Sequence, residues 1–346
     1  MNARFNELRV SNDVLNDPPE LRRRMNAEGY LFFKRLHNVD QLRELRLRMM
    51  TRIQNGGWLL PDTDPMDGIA DPSKACTEGD LEYTDVYHDV YKLEAFHRSA
   101  HWPEVMDAIE KIVGGPALPH PQKVARLWFP QFTQHTTPAH QDFVHFQGNF
   151  ETYTAWSPVG DCPIDLGGLA VLPGSHKVGR VLDHRFSLGA GQLKLTGEDE
   201  TGDWTTTDYE IGDALIFPAL TVHRALPNLT EDRLRLSLDN RYQAKEATIS
   251  EHVLTPHLDS YNPLTWEEVY ADWESEELKY YWKGAGATVI PKDNRYAQKG
   301  FQDAVELAKR GDEGAQLHLR RAVLKDPNSE EGKAARAVLE QIGVEI

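Results

Sequence analysis

DALIFPALTVH, residues 213–223, reads as a strand, a bend and a second short strand that ends on a histidine. Such a segment belongs in an antiparallel barrel or sandwich, where one strand delivers a side chain beside its neighbour. Its surroundings share the texture. Alternating or aromatic runs occur at 124–129, 153–156, 169–172, 209–217 and 234–238, with Gly, Pro, Asp and Asn between them. Helix-forming texture is nearly absent from 124 to 242, whereas the front of the chain is helical. PELRRRMNAEG (19–29) ends on a glycine, as helices commonly do. Tyr30 to Phe33 is a short aromatic strand, and Asn38 with Gln41 forms a start signal for a helix over 42–53. The Gly-, Pro- and Asp-rich stretch 56–84 reads as a long binding loop or lid, and 103–112 as an amphipathic helix. Arg22 to Arg24 are expected on a solvated helix face. Beyond Asn294 the helical texture returns as a hairpin over 314–324 and 332–342. Its phrase LRRAVLKDPNSEE resembles a single tetratricopeptide unit, too little to stack on its own, so the tail is expected to pack on the barrel or on a partner subunit. The whole predicts an α+β fold: a double-stranded β-helix (jelly-roll, cupin-like) core over about 123–245 with flanking helices. The first domain is expected to span 1–290, and a C-terminal helical extension 291–346.

Composition narrows the function. The 346 residues carry 54 acidic against 38 basic side chains, a formal charge of −16, which disfavours nucleic acid as a partner. The longest apolar runs, 169–172 and 214–217, are too short to cross a bilayer, so no membrane partner is expected. The opening residues MNARFNELRVSND contain no apolar secretory stretch. Cys76 and Cys162 are the sole cysteines, too few for a disulfide framework or a thiolate zinc site, and a cytoplasmic setting is expected. HExxH, GxSxG and CxxC are all absent, and Gly189 with Gly191 begins a GxG that the following residues do not complete.

Two of the 14 histidines open a His-x-Asp triplet: His140-Gln141-Asp142 and His257-Leu258-Asp259. On an extended strand, residues two apart face the same side, so an imidazole and a carboxylate can meet one metal. A distant histidine completes the two-His, one-carboxylate set that suits ferrous iron and leaves positions open. The second triplet lies among Pro256 and Pro263 and reads as a chance match in a loop. The first has a strand-like run upstream and His223 where a neighbouring strand would bring it. Arg233 and Arg235, in RLRLSLDNRY, share one face by period two; if that face looks inward, one of them is buried and needs an anion.

Five blocks in order, NAEGYLFFKRL, AHQDF, TAWSPVGDCPIDLGGLAVLPGSHK, GDALIFPALTVHRALPN and RLRLSLDNRYQ, resemble the phytanoyl-CoA dioxygenase-like family of iron(II)/2-oxoglutarate oxygenases. The resemblance covers roughly 26–242. It implies His140, Asp142 and His223 as iron(II) ligands and Arg233 as the anchor of 2-oxoglutarate, because Ser237 matches a serine usual four residues after that arginine. Arg235 is the alternative. Trp156 matches an aromatic position beside the cosubstrate, and Thr137 is expected in the same pocket. The implied reaction is hydroxylation of an unactivated C–H bond of a small-molecule substrate by dioxygen, with 2-oxoglutarate converted to succinate and carbon dioxide. Asp142 favours this outcome, since halogenating relatives have a small residue there. One departure is Ala225, where some members carry a serine that reaches 2-oxoglutarate. Arg224 is also unusually bulky beside a metal ligand.

Other readings stay open. His176 is expected to be structural, and His145 either orients a ligand or faces the substrate. His135 is expected to flank the site, and Phe143, Phe146 and Tyr153 to be either barrel core or substrate wall. The insertions 56–84 and 179–208 are expected to set specificity, and the C-terminal helices to offer a surface for a homo-oligomer. The rival function is a non-catalytic jelly-roll protein that binds a ligand or partner.

Overall fold

Along Arg235–Ala244 polar and apolar side chains alternate, and this alternation divides the inside of a barrel from its helix-covered outside. Arg235, Ser237, Asp239 and Arg241 face inward, while Leu236 and Leu238 join an outer apolar core. The computed structural model describes residues 5–131, 133–197, 202–258 and 262–346. Its first strands are β1 (Asn6–Glu7), β2 (Leu31–Phe33), β3 (Ala117–Pro119) and β4 (Val124–Trp128). Then come β5 (His140–Gln141), β6 (Tyr153–Pro158), β7 (Leu169–Val171), β8 (His184–Phe186) and β9 (Leu193–Leu195). Next are β10 (Thr205–Thr206), β11 (Ala214–Pro218), β12 (Val222–Ala225) and β13 (Arg235–Ala244), and a short parallel pair, β14 (Ile249–Ser250) and β15 (Val289–Ile290), closes the series. The larger sheet runs β2-β11-β6-β13-β3, with β4 also paired to β13; the smaller runs β1-β10-β7-β12-β5. These two sheets face each other across Trp156, Leu215, Phe217, Leu169 and Val171, which gives the double-sheet jelly roll.

The front is helical. Helix α1 (Pro18–Glu28) begins where Asp17 accepts the Glu20 amide and ends at Gly29 with φ 77°. Helix α2 (Val39–Asn55) is capped by Asn38, which accepts the amides of Asp40 and Gln41. Helices α3 (Leu81–Tyr91), α4 (Glu94–Arg98) and α5 (Pro103–Val113) follow. Helices α1 and α5 cover the larger sheet through Leu21, Met25, Val105 and Ile109 against Phe33 and Ile216. Leu236 and Leu238 pack under α2 and α3.

One expectation needs correction. Arg24 is not solvated: its side chain is 3% exposed and forms an ion pair with Asp13 at 2.9 Å. The stretch 56–80 is a long ordered loop with two single 3-10 turns, anchored by Trp58, Leu59, Ala70 and Cys76 in the core under α2. Helix α3 opens at the end of that stretch and buries Tyr83, Val86, Tyr87, Val90 and Tyr91, a stripe at helical spacing that runs on beyond it.

Single helical turns α6 (Phe143–Phe146) and α7 (Trp266–Val269) precede a three-helix tail: α8 (Arg295–Lys309), α9 (Glu313–Lys325) and α10 (Glu330–Gln341). The tail has its own apolar core of Ala304, Leu319, Val323 and Leu339, into which Phe186 of β8 inserts. Lys299 and Asp183 add an ion pair at 2.7 Å. The tail therefore packs on its own barrel. No described helix is long and apolar enough to cross a membrane.

Three imidazoles far from the barrel axis make acid stability testable. Burial pushes His37 down to about 4, and His97 and His120 to about 3. In the unfolded chain each takes a proton near 6.5, so between these values unfolding takes up protons and stability falls as pH falls. Thermal melts are expected to be flat from pH 8 to 7 and then to decline below 6.5, by about 1.4 kcal/mol per pH unit per histidine. His97→Gln is expected to shallow that decline; a melting temperature constant down to pH 4.5 would contradict the assignment.

Candidate metal centre

The site starts from strand register. On the smaller sheet β12 pairs with β5 so that His223 lies directly opposite His140, and both imidazoles turn into the barrel with ring centroids 4.2 Å apart. Asp142 stands two residues after His140, at the turn into α6, and so shares its side. His140 Nδ1 lies 2.8 Å from the Pro138 carbonyl, and His223 Nδ1 lies 3.0 Å from the Thr221 carbonyl. A carbonyl only accepts, so both Nδ1 atoms carry the proton and both Nε2 atoms keep a free lone pair. Those Nε2 atoms lie 3.5 and 3.7 Å from Asp142 Oδ1. One nitrogen from each histidine and one carboxylate oxygen fall within 4.8 Å of one another, all buried. Two imidazole nitrogens and a carboxylate form a donor set suited to iron(II).

The other carboxylate oxygen is held from behind. Thr154 on β6 donates its hydroxyl to Asp142 Oδ2 at 2.5 Å, and Arg241 on β13 brings its guanidinium to 3.6 Å. Burial opposes ionisation of Asp142, but Arg241, then His223 and His140, outweigh it and hold the carboxyl well below the usual carboxylate range. Burial and the neighbouring His140 push His223 down to about 3, so its imidazole is neutral near pH 7. Arg241 is itself fixed: it donates to the Asp239 carbonyl at 2.8 Å and lies 3.8 Å over the Phe146 ring. An alternating chain of charges then runs outward from Arg241 to Asp239, from Asp239 to Arg126 on β4, and from Arg126 to Glu78.

The two candidate anchors differ in burial. Arg233 precedes β13 and is exposed, in a groove that Arg43, Arg46 and Arg235 also line. An exposed guanidinium stays hydrated and binds a carboxylate weakly. Arg235 is 2% exposed and lies inside the barrel, with its Nε donating to the Gly167 carbonyl at 3.0 Å and Nη1 donating to Ser237 Oγ at 2.8 Å. Its guanidinium carbon is 5.6 Å from the Trp128 ring and 5.9 Å from that of Trp156. Ser237, taken as the partner of Arg233 four residues away, is bonded to Arg235 two residues away.

Trp156 is buried, with its ring edge-on to Tyr209 at 4.8 Å, and Thr137 lines the cavity over the donors. Arg224 is no obstacle beside His223, because the strand turns it outward onto the Trp204 ring at 4.2 Å. Ala225 is buried with no hydroxyl to offer. His176 bonds to the Asn26 carbonyl at 3.1 Å, away from the donors. His135 is buried and accepts the Ala190 amide through its backbone carbonyl. His145 stands edge-on to His140 at 5.3 Å and lines the cavity. Of the second triplet, His257 also lines the cavity and meets the Tyr87 hydroxyl at 2.7 Å; Asp259 lies outside the described residues. Sequence reasoning missed Thr154 and Arg241. Arg241 had a signal, since it shares the face of Arg235 by period two in the same run.

The phytanoyl-CoA dioxygenase family model matches residues 25–236, a span that holds the donor triad and Arg235, and the chain belongs to that family. It is an iron(II)- and 2-oxoglutarate-dependent dioxygenase. Among curated relatives, the 1-deoxypentalenic acid 11-beta-hydroxylase of Streptomyces arenae is 24% identical over 275 residues, 74% of this chain and 92% of the relative. The enzyme of the same name from Streptomyces exfoliatus is 24% identical over 262 residues, covering 70% and 87%. Among solved structures, the non-heme alpha ketoglutarate dependent carbocyclase SnoK from nogalamycin biosynthesis is 16% identical, with a TM-score of 0.49 over 69% of this chain and 86% of that one.

The hydrogen bond behind Asp142 yields a test. Thr154→Val keeps the shape and removes the donor, so iron(II) affinity is expected to fall about 10-fold. Anaerobic metal titration checks this; unchanged affinity would mean that Thr154 does not orient the carboxylate.

Proposed function

We propose that this chain hydroxylates an unactivated C–H bond of a small-molecule metabolite, with one atom of dioxygen entering the product and the other entering succinate as 2-oxoglutarate loses carbon dioxide. The observation that carries the reading is the convergence of two imidazole nitrogens and one carboxylate oxygen on the edge of a cavity of about 550 Å³. That volume falls in the range of small-molecule sites. His140, Asp142 and His223 would hold iron(II), and bound iron with 2-oxoglutarate supplies the oxidising chemistry. Asp142 supports hydroxylation over halogenation, because it fills the coordination position that a halide would need.

Arg235, in place of Arg233, is the proposed anchor for the distal carboxylate of 2-oxoglutarate. Burial weakens its hold on its proton, and among the described residues no carboxylate forms an ion pair with it. A buried cation in that condition is costly until an anion arrives, and a planar guanidinium suits a carboxylate. Ser237 and Trp156 keep that guanidinium in place, and Thr137 lines the cavity over the donors. Phe146 and Phe217 exclude water beside the donors, while Arg241 and Thr154 keep Asp142 Oδ2 turned away from the metal position.

The remaining parts are proposed with this reading. Residues 1–290 serve as the oxygenase unit, with the jelly roll over about 123–245, and 291–346 as an extension to it. A reducing cytoplasm fits the two buried, unpaired cysteines. Homo-oligomerisation through the tail would use its outer face, because its apolar face already covers Phe186.

Anaerobic titration of wild type with iron(II) and 2-oxoglutarate is expected to develop a weak visible charge-transfer band. His140→Ala should abolish the band. Arg235→Ala should weaken 2-oxoglutarate binding by about 100-fold or more, the cost of a lost charge-assisted pair, with Arg233→Ala near wild type. Folded, iron-loaded wild type with no band and no 2-oxoglutarate affinity would instead leave a ligand-binding jelly roll.

A further inference from the structure

The cavity over the donors is closed on its far side by residues outside the span 25–236 that the family model matches. His318 and Arg321 of α9, with Ser329 and Glu331 next to and on α10, line it together with His140 and Asp142. This wall is fastened down. Arg321 forms an ion pair with Asp80 at 2.6 Å, with side chains 11% and 26% exposed. Gly79 beside that pair leaves no spare room, since a Cβ there would lie 3.2 Å from Arg321 Cδ. His318 is set against Phe186 at 4.9 Å.

Inside, the charges answer one another: Glu78 with Arg126, Asp239 with Arg126 and Arg241, and Asp80 with Arg321. The other charged groups of the lining, Lys292, Lys325, Asp326 and Glu331, are exposed and of both signs, so the buried groups left to meet a ligand are imidazoles. Burial holds His257 well below its usual range and brings His318 down to about 4. The Tyr87 hydroxyl occupies His257 Nδ1, so Nε2 is the atom left for a ligand. His145 Nε2 is buried against Gly191 with no hydrogen-bond partner. Gly191, at φ 80°, packs so close that a Cβ would lie 2.9 Å from His145 Nε2. A neutral imidazole presents one donor and one acceptor, which suits hydroxyl, carbonyl and amide groups.

We infer that the C-terminal helices α9 and α10 form part of the substrate site, and that the substrate is a neutral small molecule bearing several hydroxyl or carbonyl groups. His318 is then a specificity-determining residue on the α9 side of the substrate site. The inference rests on the oxygenase reading above.

The test uses full-length protein loaded with iron(II) and 2-oxoglutarate and three probe sets: neutral hydroxylated compounds (monosaccharides, nucleosides, hydroxylated lactones), carboxylates and phosphates, and apolar terpenes and fatty alcohols. Members of the first set are expected to perturb the visible band, raise succinate release and slow hydrogen exchange across 313–331. His318→Leu should raise the KM for the responding probe about 10-fold, the worth of one hydrogen bond to a neutral group. Its 2-oxoglutarate affinity should stay within about twofold, within the scatter of a substitution away from that site. His318→Asn should recover part of the loss, and thermal melts check that each variant is folded. A wild type that forms the band but answers only the ionic or apolar sets, or none, overturns the substrate class. Unchanged KM in folded His318→Leu, or unchanged exchange across 313–331, overturns the role of the tail. Absence of the band itself counts against the oxygenase reading and not against this one.

Discussion

Everything in this fold is arranged around one buried carboxylate. Asp142 lies in the dry interior of a barrel, where an isolated negative charge is strongly unfavourable. It is kept ionised by Arg241 and by the Thr154 hydroxyl on one oxygen, while the other oxygen faces two imidazole nitrogens. Because each Nδ1 is committed to a carbonyl, neither imidazole can turn, and both Nε2 atoms point where Asp142 Oδ1 points. A divalent cation is the natural completion of that arrangement. The rest of the structure follows from the need to hold three such groups still: β5 against β12 in register, and β6 and β13 behind them to supply Thr154 and Arg241.

The sequence made the barrel and the donors legible for a simple reason. Strand alternation and a His-x-Asp spacing are local patterns, and local patterns survive in one dimension. His140, Asp142 and His223 could be named because each sits in a short strand-like run. The choice between Arg233 and Arg235 could not be made that way, since two residues on one face differ only in where the strand enters the barrel. That depends on Asn228, whose side chain bonds to the Arg233 carbonyl and keeps this residue outside the ladder. Helix α3 was hidden because its buried face is built largely of tyrosines, Tyr83, Tyr87 and Tyr91, and its start lies at the end of a Gly-, Pro- and Asp-rich stretch. Thr154 was hidden because a threonine in a strand carries no mark of its function until its partner across the barrel is known.

Distance along the chain also concealed the cavity. His318 and Arg321 lie far from the donor strands in sequence, and the tail that carries them reads as a generic helical hairpin. The packing of Phe186 into the tail core and the Lys299–Asp183 and Arg321–Asp80 ion pairs bring that tail over the barrel mouth. The same packing gives His257 a place in the cavity wall, although its triplet carries no metal-site geometry among the described residues. The barrel thus supplies the reactive centre, and segments outside it supply the walls. That division is physically economical: strands hold donors rigidly, whereas helices and loops vary the shape above them.

Diffraction at the iron absorption edge, from crystals prepared anaerobically with iron(II) and 2-oxoglutarate, tests the central claim most directly. The account predicts one anomalous peak bonded to His140 Nε2, His223 Nε2 and Asp142 Oδ1, with the distal carboxylate of 2-oxoglutarate on Arg235. A peak elsewhere, or a carboxylate seated on Arg233 while Arg235 stays empty, would contradict it.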